Sequence, residues 1–182
     1  MSAAPPIRFT ATLRKPAQPK GAAWCFLALP AAASAKLPAR GLVSVDGTLA
    51  GQAFAATLQP DGEGGHWLKV GKALLAKAGI APGDRVAVSL APAAREPEPA
   101  VPADLRRALA ASAAAKATWA DITPLARRDW IAWITSGKRA DTRVKRIATA
   151  CDMLARGKRR ACCFDRSGMA SRGNRGVPDT VG

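Results

Sequence analysis

Over the first half of the chain, apolar and polar residues alternate in short runs. Past residue 102 the repeat lengthens to about 3.6 positions, so strands should give way to helices. Ile7-Arg-Phe-Thr-Ala-Thr-Leu has the two-residue period of a half-buried strand, and Trp24-Cys-Phe-Leu-Ala-Leu is a denser apolar run stopped by Pro30. Leu42-Val-Ser-Val-Asp-Gly-Thr-Leu contains Asp46-Gly47. That dipeptide is favoured in tight hairpins, where both central residues need positive φ, so a turn is expected there. Phe54-Ala-Ala-Thr-Leu leads to a second turn signal, Asp61-Gly-Glu-Gly-Gly, and His66-Trp-Leu-Lys-Val is the next alternating strand. Gly71 to Gly79 reads as a short helix, and Ala81-Pro-Gly-Asp-Arg-Val-Ala-Val-Ser-Leu as a turn and a last strand. Short strands at regular spacing, divided by Gly and Pro, predict a small β-barrel or sandwich over 1–91, and a closed barrel also removes exposed edges.

The prolines at 92, 97, 99 and 102 predict an extended connector over 92–102. Asp104 is placed to start a helix with Leu105 and Leu109 on one face. Thr123-Pro124 combines an N-cap with a proline at the first helical position, where a missing N–H costs nothing, and Gly137 ends that helix. Asp141 or Thr142 should cap the next one, with Val144, Ile147, Cys151 and Leu154 as its apolar stripe and Gly157 as its stop. A helical module is therefore expected over 103–164. The polar, glycine-rich residues 165–182 should lack order in isolation. The fold class is α+β, a small barrel followed by helices.

Composition changes this picture mainly through charge. The formal net charge is +15, a field that attracts nucleic acid, anionic headgroups or acidic proteins without choosing among them. Its densest source is the set Arg127, Arg128, Lys138, Arg139, Arg143, Lys145, Arg146, Arg156, Lys158, Arg159 and Arg160, with only Asp129, Asp141 and Asp152 interspersed. These residues are candidates for contact with nucleic acid or another anion. Two helices around a glycine turn also suggest a DNA-reading pair, with Thr142, Lys145, Arg146 and Thr149 at the start of the second. No apolar run approaches the length of a membrane span, and no long apolar leader opens the chain. The expectation is a cytoplasmic protein with reduced thiols at Cys25, Cys151, Cys162 and Cys163.

Catalytic chemistry finds little support. His66 is the one histidine; paired with Cys162 or Cys163 it would be a general base, but a strand residue facing solvent or a barrel rim is the better reading. Arg159-Arg160 would lower the pKa of the adjacent Cys162-Cys163 pair, yet packing of the chain end accounts for small residues there equally well. Cysteine and histidine spacings for a zinc site are absent, as is any phosphate-binding glycine loop, so no metal, cofactor or catalytic residue is assigned. Trp130, Trp133 and Ile134 share a helix face that should pack against the stripe of the next helix.

The C-terminal part resembles the YdeI/OmpD-associated, or bacteriocin-protection, proteins of bacteria. The likeness runs through Pro102-Ala-Asp-Leu-Arg-Arg-Ala-Leu, Trp119, Thr123-Pro124, Arg127-Arg128, Trp133-Ile134, Lys138-Arg139, Thr142-Arg143, Arg146-Ile147, Met153-Leu154 and Gly157-Lys158. The N-terminal part is similar to a small β-domain of unknown function that precedes this module, through Val45-Asp-Gly-Thr, Gly51 and Phe54, Val70 to Lys72, Ala78-Gly79 and Gly83-Asp84-Arg-Val. The resemblance implies a double-split, AbrB-like barrel and a link to envelope stress or antimicrobial-peptide tolerance, with no settled biochemical activity. Two departures stand out: alanine at many interior-looking positions, and Ala170 where an aromatic is expected. The expectation is a non-enzymatic interaction or stress-protection protein with an acidic macromolecule as partner. The alternative is a nucleic-acid-binding regulator using the basic helices over 124–160.

Overall fold

The computed structural model describes residues 5–137, 139–161 and 177–181, which fall into two compact units. The first comprises the chain through Ala94 together with 177–181, and the second begins at Arg95.

The first unit is a nearly closed antiparallel barrel. Its elements are β1 (Ile7–Thr12), β2 (Cys25–Ala28), α1 (Ala31–Ser34), β3 (Val43–Leu49), β4 (Gln52–Pro60), β5 (His66–Val70), α2 (Lys72–Ala78) and β6 (Arg85–Pro92). The strands lie in the order β1-β6-β3-β4-β5-β2. The two ends of that order meet just past β1, where Arg14 N–H donates to Phe26 O at 2.8 Å and Phe26 N–H returns to Arg14 O at 2.9 Å. Alternation does the rest: Val43 and Val45, Leu68 and Val70, and Val86, Val88 and Leu90 point inward around Leu13 and Leu27. With helices in the second unit, the α+β class and the small barrel stand as read.

The turn between β3 and β4 lies elsewhere than the sequence suggests. It is made by Ala50-Gly51, at φ 48° and 80°, with Leu49 paired to Gln52 across it. Asp46-Gly47 is mid-strand, and Gly47 faces Phe54 of β4 on one side and Leu90 of β6 on the other. Glycine is needed there for space. A Cβ would fall 2.7 Å from Leu90 Cα and closer still to Ser89 O, both fixed backbone atoms. The second turn signal does form a turn. Asp61 Oδ1 accepts from the N–H groups of Glu63 and Gly65, both at 2.8 Å, and folds β4 back onto β5.

Part of the tail expected to lack order is paired. Ala17 N–H donates to Asp179 O at 2.6 Å and Val181 N–H to Lys15 O at 3.2 Å, so 177–181 run beside 15–17. The remainder of that expectation, 165–176 and Gly182, lies outside the described residues.

The second unit holds α3 (Ala103–Ala110), α4 (Ala113–Asp121), α5 (Pro124–Thr135) and α6 (Ala140–Ala155) around a core of Leu105, Trp119, Trp130, Ile134, Ile147, Ala150 and Leu154. The proline-rich stretch divides between the units, since Pro92 ends β6 and residues from Arg95 belong to the helices. Helix α4 is not legible as a period, because its residues are mostly alanine; Ser112 starts it, accepting from Ala115 N–H at 3.3 Å. Thr123 caps α5 as expected, accepting from Ala126 N–H at 3.2 Å. For α6 the cap position is Arg139, with no side-chain cap bond. Asp141 sits inside the first turn, where its charge still suits the helix N-terminus. Val144 is 66% exposed, so the buried stripe of α6 begins at Ile147.

Gly47→Ala should destabilise the barrel by about 3 kcal/mol or more, because backbone on both sides must move. Ala50→Gly should stabilise it by up to about 1 kcal/mol by relieving a left-handed alanine. Chemical denaturation of the two variants checks both signs.

Candidate functional site

Several of the cations singled out as an anion-binding set are held inside the second unit. Arg127 donates through Nε to Trp119 O at 2.9 Å and through a terminal nitrogen to Ala120 O at 3.1 Å, and pairs with Glu98 at 2.5 Å. Arg128, only 13% exposed at its side chain, pairs with Glu96 at 2.9 Å and with Asp129 at 3.2 Å. Arg143 binds Asp104 through two nitrogens, at 2.6 and 3.1 Å, and so ties α6 to α3. Arg146 donates to Trp133 O and to Ser136 Oγ, both at 2.6 Å, with its guanidinium 5.4 Å from the centre of the Trp133 ring. Arg159 pairs with the Asp121 carboxylate and also donates to Asp121 O at 3.1 Å.

The remaining members face water. Arg139 pairs with Asp141 and Arg156 with Asp152, each at 3.2 Å and well exposed, contacts of little energetic weight. Lys145, Lys158 and Arg160 are exposed, and Lys138 lies outside the described residues. The structure therefore does not gather the set into one open basic face. Of the four positions considered for reading DNA, Lys145 and Thr149 are exposed, Thr142 is half-buried, and Arg146 is turned onto the end of α5.

The missed signal is acidic. Glu96, Glu98, Asp104 and Asp121 neutralise these arginines from 29 to 39 residues away in the chain. A count of acids interspersed among the cations leaves them out. Electrostatics follows from the pairing: the hydrogen bonds from Arg143 hold the Asp104 carboxyl down at about 2, and Asp104 in turn raises Arg143. The hydrogen bond and charge of Arg159 lower Asp121 in the same way.

His66 does not face solvent. It opens β5 on the same side of the strand as Leu68 and Val70, is 1% exposed, and lies with Nε2 3.0 Å from Gly41 O of the loop before β3. A carbonyl only accepts, so Nε2 carries the proton and donates. Nδ1 is buried and has no partner among the described residues. Burial pushes the thiols of Cys25 and Cys151 above their ordinary value, although Lys15 works against this at Cys25, and a raised thiol holds little nucleophilic thiolate at neutral pH. Cys162 and Cys163 lie outside the described residues.

Among the grooves of the barrel unit, two lie beside its short helices. The wider, about 730 Å³, lies between the α1 region and the β4–β5 turn and is bordered by Ser34, Arg40, Asp61 and Glu63. Asp61 is already occupied with its own turn, which leaves Arg40 and Glu63 as the ionic groups it offers. The narrower, about 380 Å³, lies between β4 and α2 and is bordered by Phe54, Ala55, Lys69, Leu74 and Lys77. Both are open to water rather than enclosed. Among the described residues no group of three or more His, Cys, Asp or Glu side chains is placed to hold a metal ion, and no helix is long and apolar enough to cross a membrane.

Comparison with protein families gives two matches. Residues 98–157 match the family described as bacteriocin-protection, YdeI or OmpD-associated, and residues 9–90 match a domain of unknown function, DUF1905. The first spans all four helices of the second unit, and the second spans the barrel strands from β1 to β6. No curated protein sequence matches the chain.

The Asp104–Arg143 pair has a signed pH consequence. A carboxyl held near 2 when folded, against 3.8 otherwise, stabilises the fold above the higher value, and that stabilisation is lost as pH falls towards the lower. Thermal melting followed downward from about pH 5 should show a steeper decline in the native chain than in Asp104→Asn, which has no such carboxyl to protonate.

Proposed function

We propose, for a chain whose helical module belongs to the bacteriocin-protection, YdeI or OmpD-associated family, that it works by binding another macromolecule and not by catalysis, in a stress-protective role. The observation that carries this reading is the division of labour between the two units. The helical module turns its guanidinium groups onto its own carboxylates and carbonyls, whereas the barrel presents open grooves bordered by charged and apolar side chains. A general base would need to reach a substrate, and His66 is 1% exposed with its Nε2 proton donated to Gly41 O. The thiols of Cys25 and Cys151 are likewise shifted away from the reactive thiolate.

The same pairing argues against a regulator that reads nucleic acid through the basic helices. A phosphate-contacting arginine must exchange water and counterions for phosphate. Arg127, Arg128, Arg143 and Arg146 would first have to leave partners inside their own unit.

Fluorescence anisotropy of labelled duplex DNA and RNA, at low and near-physiological salt, tests the reading. Weak binding that fades with salt is expected from the remaining exposed cations. Submicromolar, sequence-discriminating binding at physiological salt would overturn it. Arg128→Ala sharpens the test. It should cost about 1–3 kcal/mol of stability by leaving Glu96 without its cation, and leave nucleic-acid affinity unchanged.

A further inference from the structure

We propose that the outer edge of β4, at Ala53, Ala55 and Thr57, is a strand-addition site for an extended acidic peptide. The inference rests on the reading of this protein as an interaction protein, and supplies its partner chemistry and place of contact.

Hydrogen-bond alternation defines the edge. In a two-residue hairpin the flanking residues form a bonded pair, here Leu49 and Gln52, and bonded pairs recur at every second position. Gln52, Phe54, Ala56 and Leu58 therefore direct their backbone groups to β3, while Ala53, Ala55 and Thr57 direct theirs away from it. The other side of β3 agrees with this phase. Ala50 N–H donates to Ala87 O and Ala93 N–H to Ser44 O, which assigns the alternate positions of β3 to β6.

Strand β5 covers the outer side of β4 only at Gln59 and Pro60. The opposite edge of β5 pairs with β2, from Ala28–Trp67 to Cys25–Val70. Continued register would set Lys69 against Thr57, but the registered pairing of β4 with β5 stops at Gln59. Among the described residues, Ala53, Ala55 and Thr57 consequently have no strand registered on their outer side. Ala53 and Ala55 are exposed. The edge has no proline, charge or bulge along it to discourage pairing. Beside it lies the groove of about 380 Å³, with Phe54 and Leu74 as its apolar lining.

Charge selects the occupant. Lys69 and Lys77 border the groove, and no Asp or Glu does. The Lys69 ammonium lies 4.6 Å from the centre of the Trp24 ring. A second copy pairing edge to edge would bring these lysines together in a chain of formal charge +15. An extended segment alternating acidic and small apolar residues meets every requirement. Its backbone completes the β4 ladder, one set of side chains faces the lysines, and the other enters the groove.

The test uses the full chain and a synthetic peptide of alternating glutamate and valine, with an alternating lysine–valine peptide as comparison. Amide NMR should show the Glu–Val peptide shifting the signals of Ala53, Ala55 and Thr57 and slowing their exchange with solvent. The Lys–Val peptide should leave them unmoved. The surface variant Lys69→Glu/Lys77→Glu should weaken binding about tenfold or more. Ala55→Pro removes the central outward donor without touching the β3 ladder and should abolish binding, its fold being checked by spectral dispersion. Glu–Val binding unaffected by both variants, or shifts confined to other residues, would overturn the edge site and leave the interaction reading standing. Concentration-dependent dimerisation that perturbs the same amides would place a second copy on the edge and overturn the acidic partner. Absence of peptide binding together with salt-resistant nucleic-acid binding would overturn both.

Discussion

In the second unit arginine ties the helices together around their apolar core. Arg143 links α6 to α3 through Asp104, Arg146 links α6 to the end of α5, and Arg159 reaches Asp121 at the end of α4. Arg127 and Arg128 hold the stretch that leads into the helices through Glu98 and Glu96. Exposed pairs contribute at most about 1 kcal/mol each. The bonds from Arg127 and Arg146 to backbone carbonyls are charge-assisted and partly shielded, so they carry more weight. These links enclose a small core in which Trp130 and Ile134 are fully buried, with Trp133 meeting Trp130 edge to face.

That use of arginine changes what the charge means. A formal +15 reads as a surface prepared for polyanions, yet much of the arginine in the basic helices is part of the protein's internal structure. Such a field extends beyond the surface, but Arg127, Arg128, Arg143 and Arg146 are already engaged within their own unit. The proposed contact lies instead on the barrel. There the registered pairing of β4 with β5 stops at Gln59, and a groove lies between the rest of β4 and α2.

Most elements were legible because their signals are local. The alternation in Ile7–Thr12, the Asp61 turn and the Thr123-Pro124 start of α5 each lie within a few residues of their effect. Local signals failed where a neighbour distant in sequence decided the outcome. Asp46-Gly47 carries the chemistry of a turn, but the glycine is there because β6 passes too close for a Cβ. Val144 has the spacing of a core residue and points to water, since the helices around α6 cover a narrower stripe than the spacing suggests. For the candidate site, the cations were visible in the sequence and their partners were not.

The sequence by itself determined most of the elements, the change from strands to helices, the excess of positive charge and the likeness of each half to a family. Those properties follow from periodicity, turn chemistry and composition, which act over a few residues. Only the tertiary structure decided that His66 is enclosed, that Arg128 faces Glu96 and that β4 keeps an open edge. Each of these depends on groups brought together from separate parts of the chain by barrel closure or helix packing. Local patterns of hydrophobicity and charge do not specify such pairings, because many partners satisfy the same pattern until the backbone brings one of them within reach.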